Sequence, residues 1–262
     1  MTHNSPQQHL QGEALSTVAI LPARLGSTRL AKKVLLAETG LPLFVHSARN
    51  VTRCSAIGRV LVATDSEEVQ RAGREHDIEV VMTRADHPSG SDRVREALDA
   101  LDDASIDVVL NVQADEPDVD PEDLLRLVQS FEDRAQQIAT LAARITGEGE
   151  HANPNVVKVV CDAGGRALYF SRAAIPSNAH AREGAVGIAC ARRHIGVYAF
   201  RPDSLRRFCD LGPSTLEAQE NLEQLRWLEA GEPIRVLDTE HPPSGIDTRA
   251  DYDAFVRSQQ QS

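Results

Sequence analysis

The stretch Val18-Ala-Ile-Leu-Pro-Ala-Arg24-Leu-Gly-Ser-Thr-Arg29-Leu-Ala-Lys-Lys33 carries the strongest fold signal of the 262-residue chain. It begins with a continuous apolar run typical of a buried strand, and after Pro22 it opens into a loop of basic and small residues. Its basic side chains are Arg24, Arg29, Lys32 and Lys33. Guanidinium groups pair with phosphate oxygens, and small residues let backbone N–H groups approach an anion. Because α/β sheets bind ligands at the carboxyl ends of their strands, the loop predicts an anion site, with a solvated surface loop as the alternative.

Strand and helix signals alternate along the first half of the chain. Apolar strand-like runs occupy residues 18–21, 60–63, 80–82 and 108–112. Helical patterns occupy residues 43–51, 66–76 and 94–101, and Asp120-Pro121 is a further helix start. This order predicts an α/β fold whose parallel sheet has helices on both faces.

Residues 153–200 follow a different pattern. Apolar runs at 156–160 and 168–170 flank Asp162-Ala-Gly-Gly165, which predicts a hairpin because glycine supplies positive φ in tight turns. With a further strand at 195–200, we expect an antiparallel insertion where a sugar or a second subunit sits. Residues 1–15 are polar and aperiodic and are expected to form a frayed tail, which leaves 16–259 as one domain.

Acidic side chains stand where two of the strand-like runs end. Asp115 and Glu116 follow the run at 108–112, and Asp247 follows a run at 234–237. Acids near a buried sheet edge need a compensating positive group, and Mg²⁺ takes one or two carboxylates plus water and substrate phosphates. An acidic turn before a helix explains Asp115 and Glu116 equally well, and Asp247 alone fits a helix N-cap better than a metal ligand.

Composition and absent motifs narrow the function. A net charge of −11 disfavours nucleic-acid or anionic-membrane partners. No apolar run approaches the roughly 18 residues of a membrane span and no signal pattern is present, so a cytoplasmic location is expected. The four cysteines lack paired spacing and are expected to be free thiols. The sequence contains no P-loop, dinucleotide-binding or nucleophile-elbow motif, which leaves nucleotidyl transfer as the expected chemistry.

A series of short motifs then follows in order. They are I-L-P-A-R-x-x-S-T-R-L from Ile20, R-A-D-H-x-S-G from Arg84, N-V-Q-x-D-E-P from Asn111, N-P-N-x-V-K-V-V from Asn153, Y-F-S-R-x-x-I-P from Tyr169, R-H-x-G-x-Y from Arg193, L-E-Q-L-R from Leu222 and G-x-D-T from Gly245. In order and spacing the chain resembles the CMP-Kdo synthetases (3-deoxy-manno-octulosonate cytidylyltransferases) over about residues 18–256.

The resemblance implies a mostly parallel, Rossmann-like nucleotidyltransferase sheet flanked by helices, with a smaller antiparallel insertion. It also implies Mg²⁺-dependent transfer of CMP from CTP to the anomeric hydroxyl of the sugar acid Kdo, with release of pyrophosphate, for lipopolysaccharide biosynthesis. A homodimer is implied as well. The alternatives are a cytidylyltransferase for a related ulosonic acid, such as an amino-substituted Kdo, and a weakly active nucleotide-binding homologue.

The same resemblance assigns site residues by their position in the motifs. It places the CTP triphosphate, and with it catalysis, on Arg24, Arg29 and Lys33. It adds to the nucleotide site Ser89, Gly90 and Arg93. It places the sugar acid on Gln113, Arg172, His194, Tyr198, Glu223 and Gln224. It places Mg²⁺ on Asp115 and Asp247. The spacing of Leu222, Leu225 and Leu228 further predicts that Glu223 and Gln224 lie on the polar face of a helix.

Three segments depart from the family pattern. Ala31-Lys32-Lys33 stands where Pro-Gly-Lys is usual, Ala114 replaces a glycine, and Ser177-Asn178 replaces Trp-Asp. A left-handed conformation costs lysine about 1 kcal/mol that glycine does not incur. We therefore expect either a reshaped loop or an added phosphate contact from Lys32. The Ala114 methyl is expected to narrow the space for sugar or nucleotide.

Overall fold

A mixed β-sheet runs through the centre of the chain, of which this computed structural model describes residues 15–26, 30–183 and 187–260. Its strands in the described residues are β1 (Thr17–Pro22), β2 (Arg59–Thr64), β3 (Glu79–Met82), β4 (Val108–Asn111), β5 (Ile138–Arg144), β6 (Lys158–Cys161), β7 (Ala167–Ser171), β8 (Arg192–Phe200) and β9 (Arg235–Thr239). The strand order is β3-β2-β1-β4-β8-β5-β9, and β6 pairs with both β7 and β8. The four strands predicted in the first half are confirmed, whereas β5 was missed.

Helices connect the strands and cover the sheet. They are α1 (Leu43–Val51), α2 (Glu67–Glu75), α3 (Gly90–Leu101), α4 (Pro121–Gln129), α5 (Glu148–Ala152), α6 (Pro202–Asp210), α7 (Thr215–Glu220), α8 (Leu225–Glu229) and α9 (Arg249–Gln259). The helix starts predicted near residue 66 and at Asp120-Pro121 are confirmed, and the side chains of Ser66 and Asp120 accept backbone N–H groups at the starts of α2 and α4. Within the described residues, none of the helices has the length and apolar composition to span a bilayer.

Strand direction divides the sheet into two parts. Strands β1 to β4 are parallel to one another, and β5 is parallel to β9. Strand β8 lies between β4 and β5 and runs antiparallel to both. The predicted hairpin is confirmed by the antiparallel pairing of β6 and β7, while β8 is a full member of the main sheet.

An irregularity in β8 lies opposite Thr140 of β5. Thr140 pairs with Tyr198 and the next residue, Leu141, pairs with Ile195, so Gly196 and Val197 bulge out of the ladder. The Thr140 hydroxyl lies 3.1 Å from the Ile195 carbonyl and 2.8 Å from the Val197 carbonyl. One buried side chain therefore satisfies main-chain groups that the bulge removes from the regular pattern.

Both faces of the sheet are buried. In β1, Ala19 and Leu21 pack into a cluster with Phe44 of α1, while Val18 and Ile20 pack into a second cluster on the other face. Full burial of β1 and β4 leaves their carboxyl ends as the places where polar side chains emerge.

Two local expectations near the C-terminal end are wrong. Asp247 does not cap α9; Thr248 does, since its hydroxyl accepts the Asp251 N–H at 3.2 Å while the Asp251 carboxylate accepts the Thr248 N–H at 2.8 Å. Glu223 and Gln224 do not lie on the polar face of a helix, because α7 ends at Asn221, which has a left-handed φ of 53°, and α8 begins only at Leu225. Both residues occupy the short connection to α8, and Gln224 is buried.

Candidate active site

A cavity of about 330 Å³ opens beside the carboxyl ends of β1 and β4. Its walls come from these strand ends, the start of α3, strand β8 and the connection between α7 and α8. The predicted site residues that line it are Arg24, Ser89, Gly90, Arg93, Gln113, His194, Tyr198, Glu223 and Gln224. Residues assigned separately to nucleotide and sugar acid therefore share one space.

Other lining residues were not predicted as site residues. They are Pro22, His87, Ser91, Asn111, Gly196, Asn221 and Leu222. His87, Asn111 and Gly196 stand inside the quoted motifs, so the signal was present but unused. A Cβ built on Gly196 meets nothing within 4 Å, which means that this glycine leaves open space in the cavity wall.

The start of α3 brings several polar groups to the cavity. Ser89 caps the helix by accepting the Asp92 N–H at 3.2 Å, and helix N-termini favour anions. Arg93 is held in place by the Thr83 hydroxyl at 2.6 Å and the Asp65 carboxylate at 3.1 Å. The Arg93 side chain is therefore held in a fixed position on this side of the cavity.

The opposite wall contains unsatisfied donors. Among the described residues, the Tyr198 hydroxyl and the Gln224 amide nitrogen are buried without a hydrogen-bond partner. Burial, with the nearby Glu223 carboxylate, raises the pKa of Tyr198 well above its usual value, so the phenol remains a neutral O–H donor. Glu223 accepts the Ser91 hydroxyl at 2.9 Å, and burial raises the pKa of its carboxyl. Because unpartnered buried polar groups are costly, these side chains are suited to a hydroxyl-rich ligand.

His194 is neutral in this wall. Burial lowers its pKa to about 3, and its ring packs edge-on against Phe170 with centroids 5.0 Å apart. Its Nε2 lies 3.1 Å from the Thr140 hydroxyl, whose single proton is directed to the carbonyls of the bulge. The hydroxyl therefore accepts from Nε2–H, which leaves Nδ1 as an acceptor. His194 thus contributes an uncharged acceptor to the site.

Asp115 and Asp247 converge on one ammonium group. The Nζ of Lys33 contacts Asp115 Oδ2, lies 3.0 Å from Asp247 Oδ1 and donates to the Ile246 carbonyl at 2.7 Å. The Ile246 N–H in turn donates to the Asp115 carbonyl at 3.2 Å. Burial alone would lower the pKa of Lys33, but the two carboxylates together raise it, so the ammonium stays charged. The two predicted metal ligands are thus close enough to share a cation.

Glu116, the second acid of the pair predicted at the end of β4, differs from Asp115. Burial and then the neighbouring Asp115 raise the pKa of Glu116 to about 8, and its Oε2 has no hydrogen-bond partner among the described residues. Near neutral pH the Glu116 carboxyl is therefore largely protonated and uncharged. Within the described part of the chain no three acidic, histidine or cysteine side chains group into a complete metal site. Two carboxylates alone match Mg²⁺ when substrate supplies the remaining oxygens.

Among the described residues, the predicted site residues Lys33, Asp115, Asp247 and Arg172 do not line the cavity. Arg29 lies outside the described residues. Arg172 does not line the cavity, and its guanidinium donates to the carbonyls of Glu220 at 2.9 Å, Pro154 at 3.3 Å and Asn221 at 3.4 Å. Lys32 adopts the left-handed φ of 51° expected of a glycine, and its ammonium pairs with Glu68.

The expectation that the Ala114 methyl narrows the site is wrong. Ala114 does not line the cavity; it is 2% exposed and packs in the core cluster that includes Val112. Its carbonyl accepts the Ser47 hydroxyl at 2.9 Å. The methyl group therefore fills core space behind the strand end.

Comparison with known proteins agrees with this architecture. A family model described as cytidylyltransferase matches residues 18–234, and the chain belongs to this class of transferases. It is 47% identical over 247 residues to 3-deoxy-manno-octulosonate cytidylyltransferase of Brucella suis, covering 92% of this chain and 94% of the relative. Identity to the enzyme of the same name from Nitrobacter winogradskyi is 46% over 242 residues, covering 90% and 91% of the two chains. Within its class the chain therefore belongs to the 3-deoxy-manno-octulosonate cytidylyltransferase family.

A solved structure supports the same assignment. CMP:2-keto-3-deoxy-manno-octonic acid synthetase complexed with CTP superposes with a TM-score of 0.85 at 36% identity. The match covers 94% of this chain and 99% of that chain. The predicted resemblance and the predicted fold class are therefore confirmed.

Proposed function

We propose that the protein transfers CMP from CTP to the anomeric hydroxyl of Kdo, with release of pyrophosphate, for lipopolysaccharide biosynthesis. The observation that carries the proposal is the convergence of Asp115 and Asp247 on one cation at the edge of the sheet that bears the cavity. The names of its relatives supply the substrates. We further propose a cytoplasmic homodimer, with 153–200 as its sugar and dimer region within a single domain of residues 16–259.

The triphosphate is proposed to bind on the basic side of the site. Arg24 lines the cavity directly after β1, and Lys33 lies beside the acid pair. Together with Arg29 they would neutralise charge that builds on the α-phosphate and the leaving pyrophosphate. The capped start of α3, with Ser89, Gly90 and Arg93, adds backbone and guanidinium donors for the nucleotide.

The sugar acid is proposed to bind on the opposite wall. The unpartnered Tyr198 and Gln224 donors and the neutral His194 acceptor match sugar hydroxyl groups. The remaining proposed contacts are Gln113 and Glu223. Arg172 also remains a proposed substrate-binding residue, since its bond to the Asn221 carbonyl places it behind the cavity rim.

The acid pair fits the proposed cofactor Mg²⁺. Asp115 and Asp247 would hold the ion, since their carboxylates already meet at one cationic group. When bound, Mg²⁺ would supply Lewis-acid polarisation of the α-phosphate and favour deprotonation of the attacking hydroxyl. The protein itself contributes the orientation of both carboxylates, through the bond between Ile246 and Asp115.

A pyrophosphate-release assay with CTP, Mg²⁺ and a panel of sugar acids tests the proposal. Kdo is expected to give the highest kcat/KM, while a higher value for an amino-substituted acid would move the assignment to that acid. Asp115→Asn is expected to lower turnover by at least about 100-fold, as loss of a group that stabilises charge does. The matched control is Asp203→Asn, because that carboxylate on α6 is 96% exposed. No release above the protein-free background by folded protein would refute the function.

A further inference from the structure

The Lys33 ammonium occupies the position between the two carboxylates proposed to hold the metal. Its three contacts are Asp115, Asp247 and the Ile246 carbonyl. The side chains of Lys33 and Asp115 are 11% and 25% exposed, so their contact is largely shielded from water, whereas Asp247 is 46% exposed. Charge pairs are stronger in such surroundings than at the surface. The ammonium is therefore firmly bound to the acid pair.

A divalent cation and this ammonium compete for the same oxygens. Mg²⁺ binds carboxylate oxygens at about 2.0–2.1 Å, which is closer than an ammonium approaches. A cation held through Asp115 Oδ2 and Asp247 Oδ1, the two oxygens that Lys33 Nζ contacts, therefore has to displace the ammonium. The displaced ammonium then needs another anion, because a shielded charge without a partner is costly.

We propose that Lys33 and the divalent cation exchange places: the cation takes Asp115 and Asp247, and the ammonium moves to the phosphates of the nucleotide that arrives with it. The inference rests on the proposed function, since that function supplies both cation and triphosphate. The exchange makes metal and nucleotide binding mutually dependent. The nucleotide draws the ammonium away from the carboxylates, and the metal releases the ammonium for the phosphates. Free protein accordingly binds a divalent cation weakly.

Mn²⁺ binding to the full-length protein without nucleotide tests the exchange, with the free ion followed by electron paramagnetic resonance. Lys33→Met removes the ammonium but keeps the aliphatic stem. We expect its Mn²⁺ affinity to exceed that of the unaltered protein by about 5- to 150-fold, the range typical of coupled sites. Lys33→Gln is a second variant, used if methionine perturbs folding as judged by circular dichroism.

Two controls locate the effect. Lys32→Met is the matched control, because the Lys32 ammonium contacts Glu68 and not the acid pair, and its Mn²⁺ affinity is expected to equal that of the unaltered protein. Adding Asp247→Asn to Lys33→Met is expected to abolish the gain. Equal Mn²⁺ affinity in the unaltered protein and in a folded Lys33 variant would overturn the exchange.

Failure of the exchange and failure of the proposed function give different results. Normal Mg²⁺-dependent pyrophosphate release by the unaltered protein, combined with unchanged Mn²⁺ affinity in the Lys33 variants, rejects only the exchange. Absence of pyrophosphate release rejects the function on which the exchange rests, whatever the Mn²⁺ affinities are.

Discussion

The Lys32 ammonium lies 2.7 Å from each carboxylate oxygen of Glu68. The ion pair joins the loop that follows β1 to α2 across the surface, and both side chains are about half exposed. Lys32 forms it from a left-handed backbone conformation. The loop thus keeps a conformation suited to glycine, and the lysine charge is directed to a carboxylate of its own chain.

Lys32→Gly is expected to leave the free energy of unfolding unchanged or to raise it by up to about 1 kcal/mol. Glycine removes the cost of the left-handed conformation, while the exposed ion pair that is lost contributes about 0–1 kcal/mol. Lys32→Ala loses the pair but retains the backbone cost, so it is expected to be the less stable variant. Urea unfolding measures both. The KM for CTP should stay the same; a clear rise in both variants would indicate a phosphate contact from Lys32.

Gly196→Ala is expected to fold normally and to lower kcat/KM. The added methyl meets no atom within 4 Å in the protein, so it intrudes only on whatever fills the cavity. Steady-state kinetics with CTP and Kdo measures the loss, and thermal unfolding confirms the fold. Gly147→Ala is the matched control, because a Cβ there also meets nothing within 4 Å and the residue does not line the cavity. Unchanged kinetics in Gly196→Ala would show that the substrates do not approach this wall.

Tyr198→Phe is expected to raise the free energy of unfolding slightly and to lower kcat/KM for the sugar acid by about 10-fold. The hydroxyl is buried without a partner in the protein, and its removal relieves a desolvation cost of about 1–3 kcal/mol. The substitution also removes the phenolic O–H that would donate a hydrogen bond to a hydroxyl group of the bound sugar. Tyr252→Phe provides the contrast, because the Tyr252 hydroxyl accepts the Glu38 N–H at 2.9 Å. That variant should lose stability and keep its kinetics; the same response in Tyr198→Phe would contradict our interpretation.

His194 should make the protein less stable as pH falls from about 6.5 towards 3. Burial lowers its folded-state pKa to about 3, so in this range the unfolded chain binds the proton and the folded chain does not. One such group contributes a slope of up to about 1.4 kcal/mol per pH unit to the free energy of unfolding, with stability rising with pH. His194→Asn is expected to reduce the slope measured by urea unfolding between pH 4.5 and 6.5. The exposed His241→Asn should leave it unchanged, and equal slopes in the two variants would argue against a neutral His194.

Much of the fold could be predicted because its signals are local. Continuous apolar runs identified the four parallel strands, and Ser66 and the pair Asp120-Pro121 identified two helix starts. The position of β8 could not be derived in this way. This strand pairs with β4 on one side and β5 on the other, and both pairings join residues that are distant in sequence. Glu223 and Gln224 were wrongly placed on a helix because the spacing of Leu222, Leu225 and Leu228 fits a helical face, although α8 begins only at Leu225.

In the candidate site, too, local sequence motifs could be identified, but contacts between residues distant in sequence could not. Motif positions selected Arg24 and Arg93 for the nucleotide and Tyr198 for the sugar acid, and all three line the same cavity. They did not indicate that Lys33 bonds to both predicted metal ligands, because the contact with Asp247 joins residues 214 positions apart. Nor did they indicate the role of Thr140, which acts through hydrogen bonds to β8 and belongs to none of the quoted motifs.

The bulge at Gly196 and Val197 determines which deletions strand β8 can tolerate. Successive strand residues point to opposite faces of the sheet. Because the bulge leaves two residues out of the pairing with β5, the residues before and after it keep the same alternation between the two faces. His194 and Tyr198 therefore face the cavity on both sides of the interruption, and Ile195 and Val197 remain in the core. Deleting one residue here would invert the parity of half the strand and bury polar groups, whereas deleting the pair would keep the parity but remove the Val197 side chain from the core.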